Sequence, residues 1–271
     1  MPSKYAKGHV RRPDKDQLIR LMYSRHSAML EAKLTIPPPP EWDSRDHKWV
    51  GKVKNQEQCG SCWDFSGTGI VEVAYNKAGI GGGPNTFILS EEYTLSCYRN
   101  GGCNGDDNTT VLEYAKAHGL PLKSDYTTPY GPFPNANTCK IPACTWKPTM
   151  KLHKITDWGF ADGSSGSETV ASTAAIKSAI MNYGAVGAGI AADDAFQMIK
   201  GGAVFQGSGA TQIDHDIILI GWDDSKGAKG AWLLRNSWGT VWADKGYCWI
   251  AYGANRVGTE AVWCEVSSVV S

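Results

Sequence analysis

The sequence predicts an α+β protein with two lobes, the first mainly helical and the second rich in β-strands. Its 271 residues exceed one typical core without reaching two, so two lobes that share a cleft are expected. The periodicity also changes near residue 150, from helical spacing of apolar residues to short apolar runs between glycine-containing turns. We therefore divide the main body into residues 37–150 and 151–271.

The individual elements follow from that periodicity. In the first lobe we predict helices at Cys62–Lys77, Ser90–Cys97 and Thr109–His118. In the second lobe we predict helices at 171–183 and 193–199 and strands at 216–222, 231–234, 247–252 and 261–266.

Residues 1–36 form a predicted N-terminal extension. Apolar residues recur at helical spacing between Asp14 and Leu34, and four consecutive prolines at 37–40 then form a stiff extended linker. We expect this extension to be removable, and an amphipathic segment tethered in this way is long enough to lie across the cleft.

Composition excludes several functional classes. Basic and acidic residues are equal in number, 27 each, so the basic excess of a duplex nucleic-acid binder is missing. No apolar run approaches the length of about 20 residues that spans a bilayer. Eight cysteines indicate disulfides in an oxidising compartment. The polar N-terminus lacks the apolar stretch of a signal peptide, and a leader already removed is the preferred explanation over another export route or an intracellular protein.

The Cys59-Gly-Ser-Cys62 motif has three interpretations. A redox dithiol requires a strand before Cys59, where the sequence shows a polar loop. A zinc site requires a second close pair, which only Cys139 and Cys144 loosely provide. In the third interpretation Cys59 forms a disulfide while Cys62 is a nucleophile at a helix N-terminus, where the helix dipole favours the thiolate.

The flanking residues separate these interpretations. The run from Gln56 to Ser66, QEQCGSCWDFS, resembles the nucleophile segment of the papain-like cysteine proteases. Four further stretches resemble that family in the same order: LSEE…C…GCNG at 89–105, GAV…F…GGAVF at 184–205, DHDIILIGW at 214–222 and LRNSWGT…W…KGY at 234–247. Together they cover about residues 40–266, and they imply a papain-like two-lobe fold with an active-site cleft between the lobes.

The resemblance also implies roles for individual residues. Cys62 matches the nucleophile, His215 the base and Asn236 the residue that orients the imidazole. Gln56 matches the oxyanion-hole donor, and Trp238 is expected to cover the Asn236–His215 contact. The implied activity is that of an endopeptidase acting through a thiolate–imidazolium pair and a thioester, without cofactor or metal. The implied substrate-binding residues are Gly60, Ser61, Trp63, Gly105, Asp106, Gly189, Asp214, Asp216 and Trp238.

Several positions depart from the family pattern. Asp64 replaces a small alanine, and we expect it either to favour the helix dipole or to raise the pKa of Cys62. Asp106 replaces a glycine of the cleft wall. Asp216 follows His215, where a small residue usually lines the pocket for the second substrate residue before the scissile bond. It either places a carboxylate in that pocket, which would admit Arg or Lys, or turns into a hydrogen bond with its own chain.

The family pattern also implies disulfides. It pairs Cys59 with Cys103 and Cys97 with Cys139, with Cys144 as the alternative partner of Cys97. Cys248 and Cys264 lie on two predicted strands and are expected to pair with each other. Asn108 begins a glycosylation sequon, relevant only to a secreted eukaryotic chain.

The competing functions are a fold relative that binds without catalysing and a metal or redox protein that uses the cysteines. The first is disfavoured because all four catalytic matches are present. Expected partners are polypeptide substrates, the chain's own N-terminal extension and cystatin-type inhibitors, and a monomer is expected. A secreted or a lysosomal or vacuolar location is expected as well. The residues after Cys103 do not resemble the loop that makes some relatives carboxydipeptidases.

Overall fold

The computed structural model describes residues 4–22, 37–98, 102–134, 139–163 and 168–267. Its helices are α1 over 15–22, α2 (Cys62–Lys77), α3 (Glu91–Tyr93), α4 (Asn108–Ala117), α5 (Thr173–Tyr183) and α6 (Asp194–Gln197). Its strands are β1 (Glu41–Asp43), β2 (Asp157–Phe160), β3 (Val186–Ile190), β4 (Val204–Phe205), β5 (His215–Asp223), β6 (Ala231–Arg235), β7 (Tyr247–Ala251) and β8 (Thr259–Glu265). No described helix is long and apolar enough to cross a membrane.

Helix α2 lies at the centre of the molecule, and its residues from Cys62 to Tyr75 are all buried. Two glycines let the neighbouring elements approach it closely. A Cβ at Gly67 would lie 2.5 Å from the side chain of Val111 in α4, and one at Gly69 would lie 2.3 Å from Ile218 in β5. Glycine costs about 1 kcal/mol in a helix interior relative to alanine, and here the close packing offsets that cost.

Seven strands of the second half are paired in the order β2-β8-β3-β5-β6-β7-β4, and β1 of the first half pairs with β5 as the eighth strand of this sheet. All of its pairings are antiparallel except the parallel contact between β4 and β7. Strands β3, β5 and β6 are buried along almost their whole length, which explains their nearly continuous apolar sequence. The helices and this sheet confirm the α+β class.

Two apolar cores lie on either side of this sheet. One surrounds α2 and α4, and the other lies between α5 and the strands of the second half. Strand β1 belongs to the first half by sequence but pairs with β5 in the register Trp42↔Trp222. The boundary near residue 150 stays a prediction.

The predicted helices and strands match the structure to within a few residues. One difference is that the helix predicted at Ser90–Cys97 is a short α3 followed by a π-helical turn, Thr94–Tyr98. Residues 23–34 of the predicted N-terminal helix lie outside the described residues, and 15–22 are helical.

The disulfide predictions need two corrections. Cys97 pairs with Cys144, so the expected partner Cys139 is wrong and the alternative holds. The predicted Cys248–Cys264 bridge is also wrong, because β7 and β8 are separated in the sheet by β3, β5 and β6 and both thiols are free. Cys59 does contact Cys103 at bonding distance.

The sulfur of Cys139 lies close to the Cys59–Cys103 pair. The sulfurs of Cys59, Cys103 and Cys139 all lie within 4.8 Å of one another, and Cys103 is at bonding distance from both neighbours. A sulfur takes part in one disulfide at a time, so the two pairings of Cys103 are mutually exclusive.

Candidate active site

A histidine–asparagine contact forms where two paired strands meet. His215 is the first residue of β5 and Asn236 directly follows β6, and the register Ile218↔Arg235 brings these ends together. The His215 Nε2 atom lies 2.8 Å from Asn236 Oδ1. The ring of Trp238 stacks against His215 with centroids 4.5 Å apart, which is the covering position expected for it. His215 Nδ1 has no hydrogen-bond partner among the described residues.

Cys62 is the first residue of α2, where unpaired backbone N–H groups favour an anion. Its sulfur is fully buried, because a second stretch of the same chain lies over it. The backbone N–H of Gly8 donates to Cys62 Sγ at 3.2 Å. The predicted nucleophile is therefore blocked by the N-terminal extension in this structure.

Residues 4–22, here called the N-terminal segment, run through the cleft by way of backbone contacts. The carbonyl of Ala6 accepts from Gln56 Nε2 at 3.2 Å and from the Trp238 indole at 3.1 Å. The predicted oxyanion-hole donor thus already holds a peptide carbonyl. Gln56 is oriented by its Oε1, which accepts from the Ser237 hydroxyl at 2.6 Å.

Further along, the backbone of the N-terminal segment is hydrogen-bonded to the backbone of Asp106 on the cleft wall. The Asp106 N–H donates to the Gly8 carbonyl at 3.0 Å, and the Val10 N–H donates to the Asp106 carbonyl at 2.9 Å. The Asp106 side chain points away from the segment, toward the start of α4, where it accepts from the Asp107 N–H and the Thr110 hydroxyl. The backbone role expected at this position is therefore available in spite of the substitution.

Gly8 fits this path because it has no side chain. A Cβ on Gly8 would lie 1.9 Å from the carbonyl oxygen of Gly60, an impossible contact between two backbones. Gly105 is constrained in a similar way, since a Cβ there would lie 2.7 Å from the Gly8 carbonyl oxygen. At this point the backbone of the segment packs directly against the backbone of the cleft, with no room for a side chain at Gly8 or Gly105.

The segment is basic and the surfaces it contacts are acidic. Lys7 Nζ lies 2.5 Å from Asp214 Oδ2 and 3.0 Å from the Ala192 carbonyl. His9 Nδ1 lies 3.0 Å from Asp216 Oδ2. Three further pairs join the segment to the body: Arg11–Glu260, Arg12–Glu113 and Lys15–Asp107. Sequence reasoning did not find these pairs, although the basic run KYAKGHVRRPDK was a visible signal.

Covering the site changes the ionisation of its two reactive groups. Burial raises the pKa of the Cys62 thiol well above its ordinary value, and the nearby carboxylate of Asp216 adds to the rise. Burial lowers the pKa of His215 to about 4, against the opposing effect of its bond to Asn236. Both groups are therefore neutral near pH 7 in the covered site, whereas the expected resting state is a thiolate–imidazolium pair.

Asp64 does not act on Cys62 as expected. Its carboxylate is fully buried, and neither oxygen has a hydrogen-bond partner within the described part of the chain. Burial raises its pKa well above the ordinary value, the neighbouring Glu91 adds to the rise, and Lys54 opposes it. Asp216, rather than Asp64, is the carboxylate that raises the pKa of Cys62.

The other predicted binding residues lie around this centre. Gly60 donates its N–H to the Cys103 carbonyl, and the Ser61 hydroxyl contacts the Tyr130 hydroxyl at 2.7 Å. Gly189 pairs with Asp216 across β3 and β5, and the substrate-pocket role of both stays a prediction. Trp63 is fully buried in the first core and donates to the Gly102 carbonyl, so its side chain supports the cleft wall from behind.

The sequon at Asn108 does not provide a glycosylation site in this fold. Asn108 is the first residue of α4 and is only 1% exposed. A glycan requires an exposed side-chain amide, and this amide lies inside the molecule.

Comparison with known proteins agrees with this geometry. The profile of the papain family cysteine proteases matches residues 38–270, and the chain belongs to that family. Cathepsin L of Sarcophaga peregrina is 31% identical over 231 residues, covering 83% of this chain and 62% of that protein. Cysteine proteinase 2 of Entamoeba histolytica is 33% identical over 234 residues, covering 83% and 67%.

Among solved structures, the digestive procathepsin L2 proteinase from Tenebrio molitor larval midgut superposes with a TM-score of 0.69 at 23% identity. The match covers 86% of this chain and 70% of that one. It confirms the papain-like fold. The chain spans roughly three fifths of the length of the first curated relatives that it matches, 62% and 59% for two of them.

Proposed function

We propose that this chain is a cysteine endopeptidase that hydrolyses polypeptides with Cys62, His215, Asn236 and Gln56. The observation that carries the proposal is that one short stretch of backbone meets both groups: the Ala6 carbonyl accepts from the Gln56 amide, and the Gly8 N–H donates to the sulfur of Cys62. A substrate carbonyl in that place meets a donor for its developing negative charge, which is worth about 2.7–4 kcal/mol in comparable sites.

In the proposed reaction the cleft is open to water and the proton of Cys62 passes to His215 Nδ1. Asn236 leaves this ring nitrogen free, and it has no hydrogen-bond partner among the described residues of the covered site. The thiolate attacks the carbonyl carbon, and the tetrahedral oxyanion accepts the Gln56 N–H. The C–N bond then breaks while His215 gives its proton to the leaving amine. Water, deprotonated by His215, hydrolyses the thioester and restores the thiol.

The N-terminal segment is, in this proposal, an inhibitory prosegment. It places a backbone amide on the nucleophile and a carbonyl on the oxyanion donor, so a substrate cannot reach either group. Its buried side chains Lys15, Ile19 and Met22 anchor it beyond the cleft. The division into an extension and two lobes is retained as part of this proposal.

Removal of the nucleophile is the direct test of the activity. Cys62→Ala is expected to abolish cleavage of a fluorogenic peptide, and His215→Ala is expected to do the same. Asn236→Ala should lower kcat, because Asn236 orients the base without reacting. The matched control is Cys248→Ala, which removes another free buried thiol remote from the cleft. Cleavage that survives Cys62→Ala would contradict the mechanism.

Displacement of the segment tests the inhibition. Gly8→Val places a side chain where only 1.9 Å separates it from the Gly60 carbonyl, so the segment must leave its path. We expect the turnover of the full chain to rise by about tenfold or more, since uncovering returns the reactive pair to water. An unchanged rate in Gly8→Val, together with unchanged alkylation of Cys62, would show that the segment does not control access.

The proposal includes a secreted or a lysosomal or vacuolar location. The Cys97–Cys144 disulfide supports it, because such bonds persist in oxidising compartments. Protein inhibitors of the cystatin type are expected to use the same cleft once the segment has left.

A further inference from the structure

The acidic side chains of the cleft differ in what they contact. Asp106 accepts hydrogen bonds from its own chain, and Asp107 caps α4 by accepting from the Thr109 N–H. Asp216 is different. Its side chain is 1% exposed, its Oδ2 contacts only His9 among the described residues, and its Oδ1 has no hydrogen-bond partner there.

Asp214 forms a second position of this kind. Its Oδ1 accepts from the Ala192 N–H at 2.9 Å, which fixes the carboxylate. Its Oδ2 and the Ala192 carbonyl then face Lys7 Nζ at 2.5 and 3.0 Å. Asp214 directly precedes β5 and Ala192 lies just after β3, so one carboxylate and one carbonyl at the ends of two paired strands form a preformed binding site for an ammonium group.

The two carboxylates lie on either side of the reacting centre. Lys7 and His9 flank Gly8, whose N–H contacts the sulfur of Cys62. Asp216 pairs with Gly189 on one side, where His9 also bridges to the backbone of Asp106, and Asp214 is next to Ala192 on the other.

Departure of the segment removes from each carboxylate the cation that contacts it directly. For Asp216 the described chain offers no other hydrogen-bonding partner, His215 acts on it only through space, and an unpaired carboxylate in a partly desolvated pocket is unfavourable. A basic substrate side chain restores the contact, whereas an apolar one leaves the carboxylate unpaired. Burial lowers the pKa of His9, but Asp216 outweighs this effect and raises it to about 9, so this position stabilises a cation.

We infer that the open cleft selects polypeptides with basic residues on both sides of the reacting residue, through Asp216 and Asp214. The inference rests on the proposed endopeptidase function. It assigns to Asp216 the second substrate residue before the scissile bond and to Asp214 the first residue after it. The substrates are basic protein segments of the pattern basic–small–basic.

The test uses the full chain with Gly8→Val, whose open cleft is verified by alkylation of Cys62. Lys7→Glu together with His9→Glu is a second opening variant, because it turns both attractive contacts into repulsive ones. Four peptides carry either Lys or norleucine at the two positions. Norleucine matches the length of lysine without its charge, so the comparison isolates the cation.

Each carboxylate should control its own position. We expect Lys to raise kcat/KM about 10- to 100-fold at each position, as for a hydrogen bond to a charged group. Asp216→Asn should remove the preference before the scissile bond, and Asp214→Asn should remove the one after it. Asp125→Asn is the matched control, since it removes one exposed carboxylate outside the cleft. Equal rates for Lys and norleucine, or preferences that survive both substitutions, would overturn the inference.

Failure of the protease proposal gives a different result. In that case none of the four peptides is cleaved, and binding replaces turnover as the measurement. A labelled peptide of residues 4–22 is titrated into the Gly8→Val, Cys62→Ala chain and followed by fluorescence anisotropy. Loss of affinity when Lys7 and His9 are replaced by norleucine supports the two cation sites, and an unchanged affinity refutes them.

Discussion

At the scale of single residues, Asp64 is a position where the described chain departs from the physics of a stable core, with both carboxylate oxygens buried and unpaired. A buried carboxylate without a hydrogen-bond partner costs free energy of folding, because it loses its hydrogen bonds with water. Its nearest charged neighbours are of mixed sign: Glu91 and Glu92 oppose ionisation, and Lys54 favours it. Lys54 itself is held by Glu72 and Glu91, so it compensates Asp64 only in part.

Asp64→Asn is therefore expected to stabilise the protein at neutral pH. The expected gain in the free energy of unfolding is about 1–3 kcal/mol, because asparagine has no proton to release and each unit by which burial raises a pKa is worth about 1.4 kcal/mol. The raised pKa means that the native state binds the Asp64 proton more tightly than the unfolded chain does. The destabilisation is therefore absent below the ordinary pKa of 3.8 and grows as the pH rises toward the native value.

Urea unfolding of both proteins at several pH values checks this sign. The advantage of Asp64→Asn should grow from acid to neutral pH, while the control Asp125→Asn should show no such trend. An advantage that is largest in acid would contradict the prediction.

At the scale of elements, the sequence is informative wherever one local pattern decides the outcome. Glycines and prolines predicted helix ends correctly, and continuous apolar runs predicted β5 and β6 correctly. Each of these signals lies within or next to the element that it predicts, so no knowledge of distant contacts is needed. The His215–Asn236 contact was also predictable, through the family resemblance of two adjacent strands. Disulfide partners were less predictable, because they depend on which strands become neighbours. Cys248 and Cys264 lie on consecutive strands of the chain that are not adjacent in the sheet.

The three clustered cysteines allow a test of pairing at this scale. Because the sulfurs of Cys59, Cys103 and Cys139 all lie within 4.8 Å of one another, removal of one cysteine leaves the other two close enough to pair. We expect Cys139→Ser to contain the Cys59–Cys103 bridge and Cys59→Ser to contain Cys103–Cys139. Peptide mapping by mass spectrometry without reduction identifies each bridge, and Cys97–Cys144 is the internal control. A free Cys103 thiol in either variant would contradict the prediction.

At the scale of the whole molecule, a net charge of zero conceals two complementary surfaces. The N-terminal segment carries the cations, and the cleft and its surroundings carry the anions that face them. Composition alone could not show this separation, since basic and acidic residues are equal in number over the full chain. Pairs such as Lys15–Asp107 are buried on both sides, so they resist screening by salt better than exposed pairs do.

The ionisable groups at this contact predict that the segment binds most tightly near neutral pH. His9 faces Asp216 on β5, Asp107 at the start of α4 and Lys15 of α1, and the carboxylates raise its pKa to about 9. Because this value is raised above 6.5, the contribution of His9 is fully present below pH 6.5 and is lost as the pH rises through 9. Covering lowers the pKa of His215 to about 4, so protonation of His215 favours the open cleft as the pH falls from 6.5.

Affinity measured across this range checks both limbs of the profile. A labelled peptide of residues 4–22 is titrated into the Gly8→Val, Cys62→Ala chain, in which the thiol no longer contributes. We expect the affinity to fall on the order of 10- to 100-fold between pH 7.5 and 9.5, since each unit of pKa difference is worth about tenfold.

A His9→Gln peptide should bind more weakly at pH 7.5 and lose this alkaline decline, because glutamine has no proton to release. His215→Gln in the chain should remove the decline between pH 6.5 and 4 while leaving the alkaline one in place. A profile that is flat from pH 6 to 9.5, or one that His9→Gln leaves unchanged, would show that the His9–Asp216 pair does not hold the segment in the cleft.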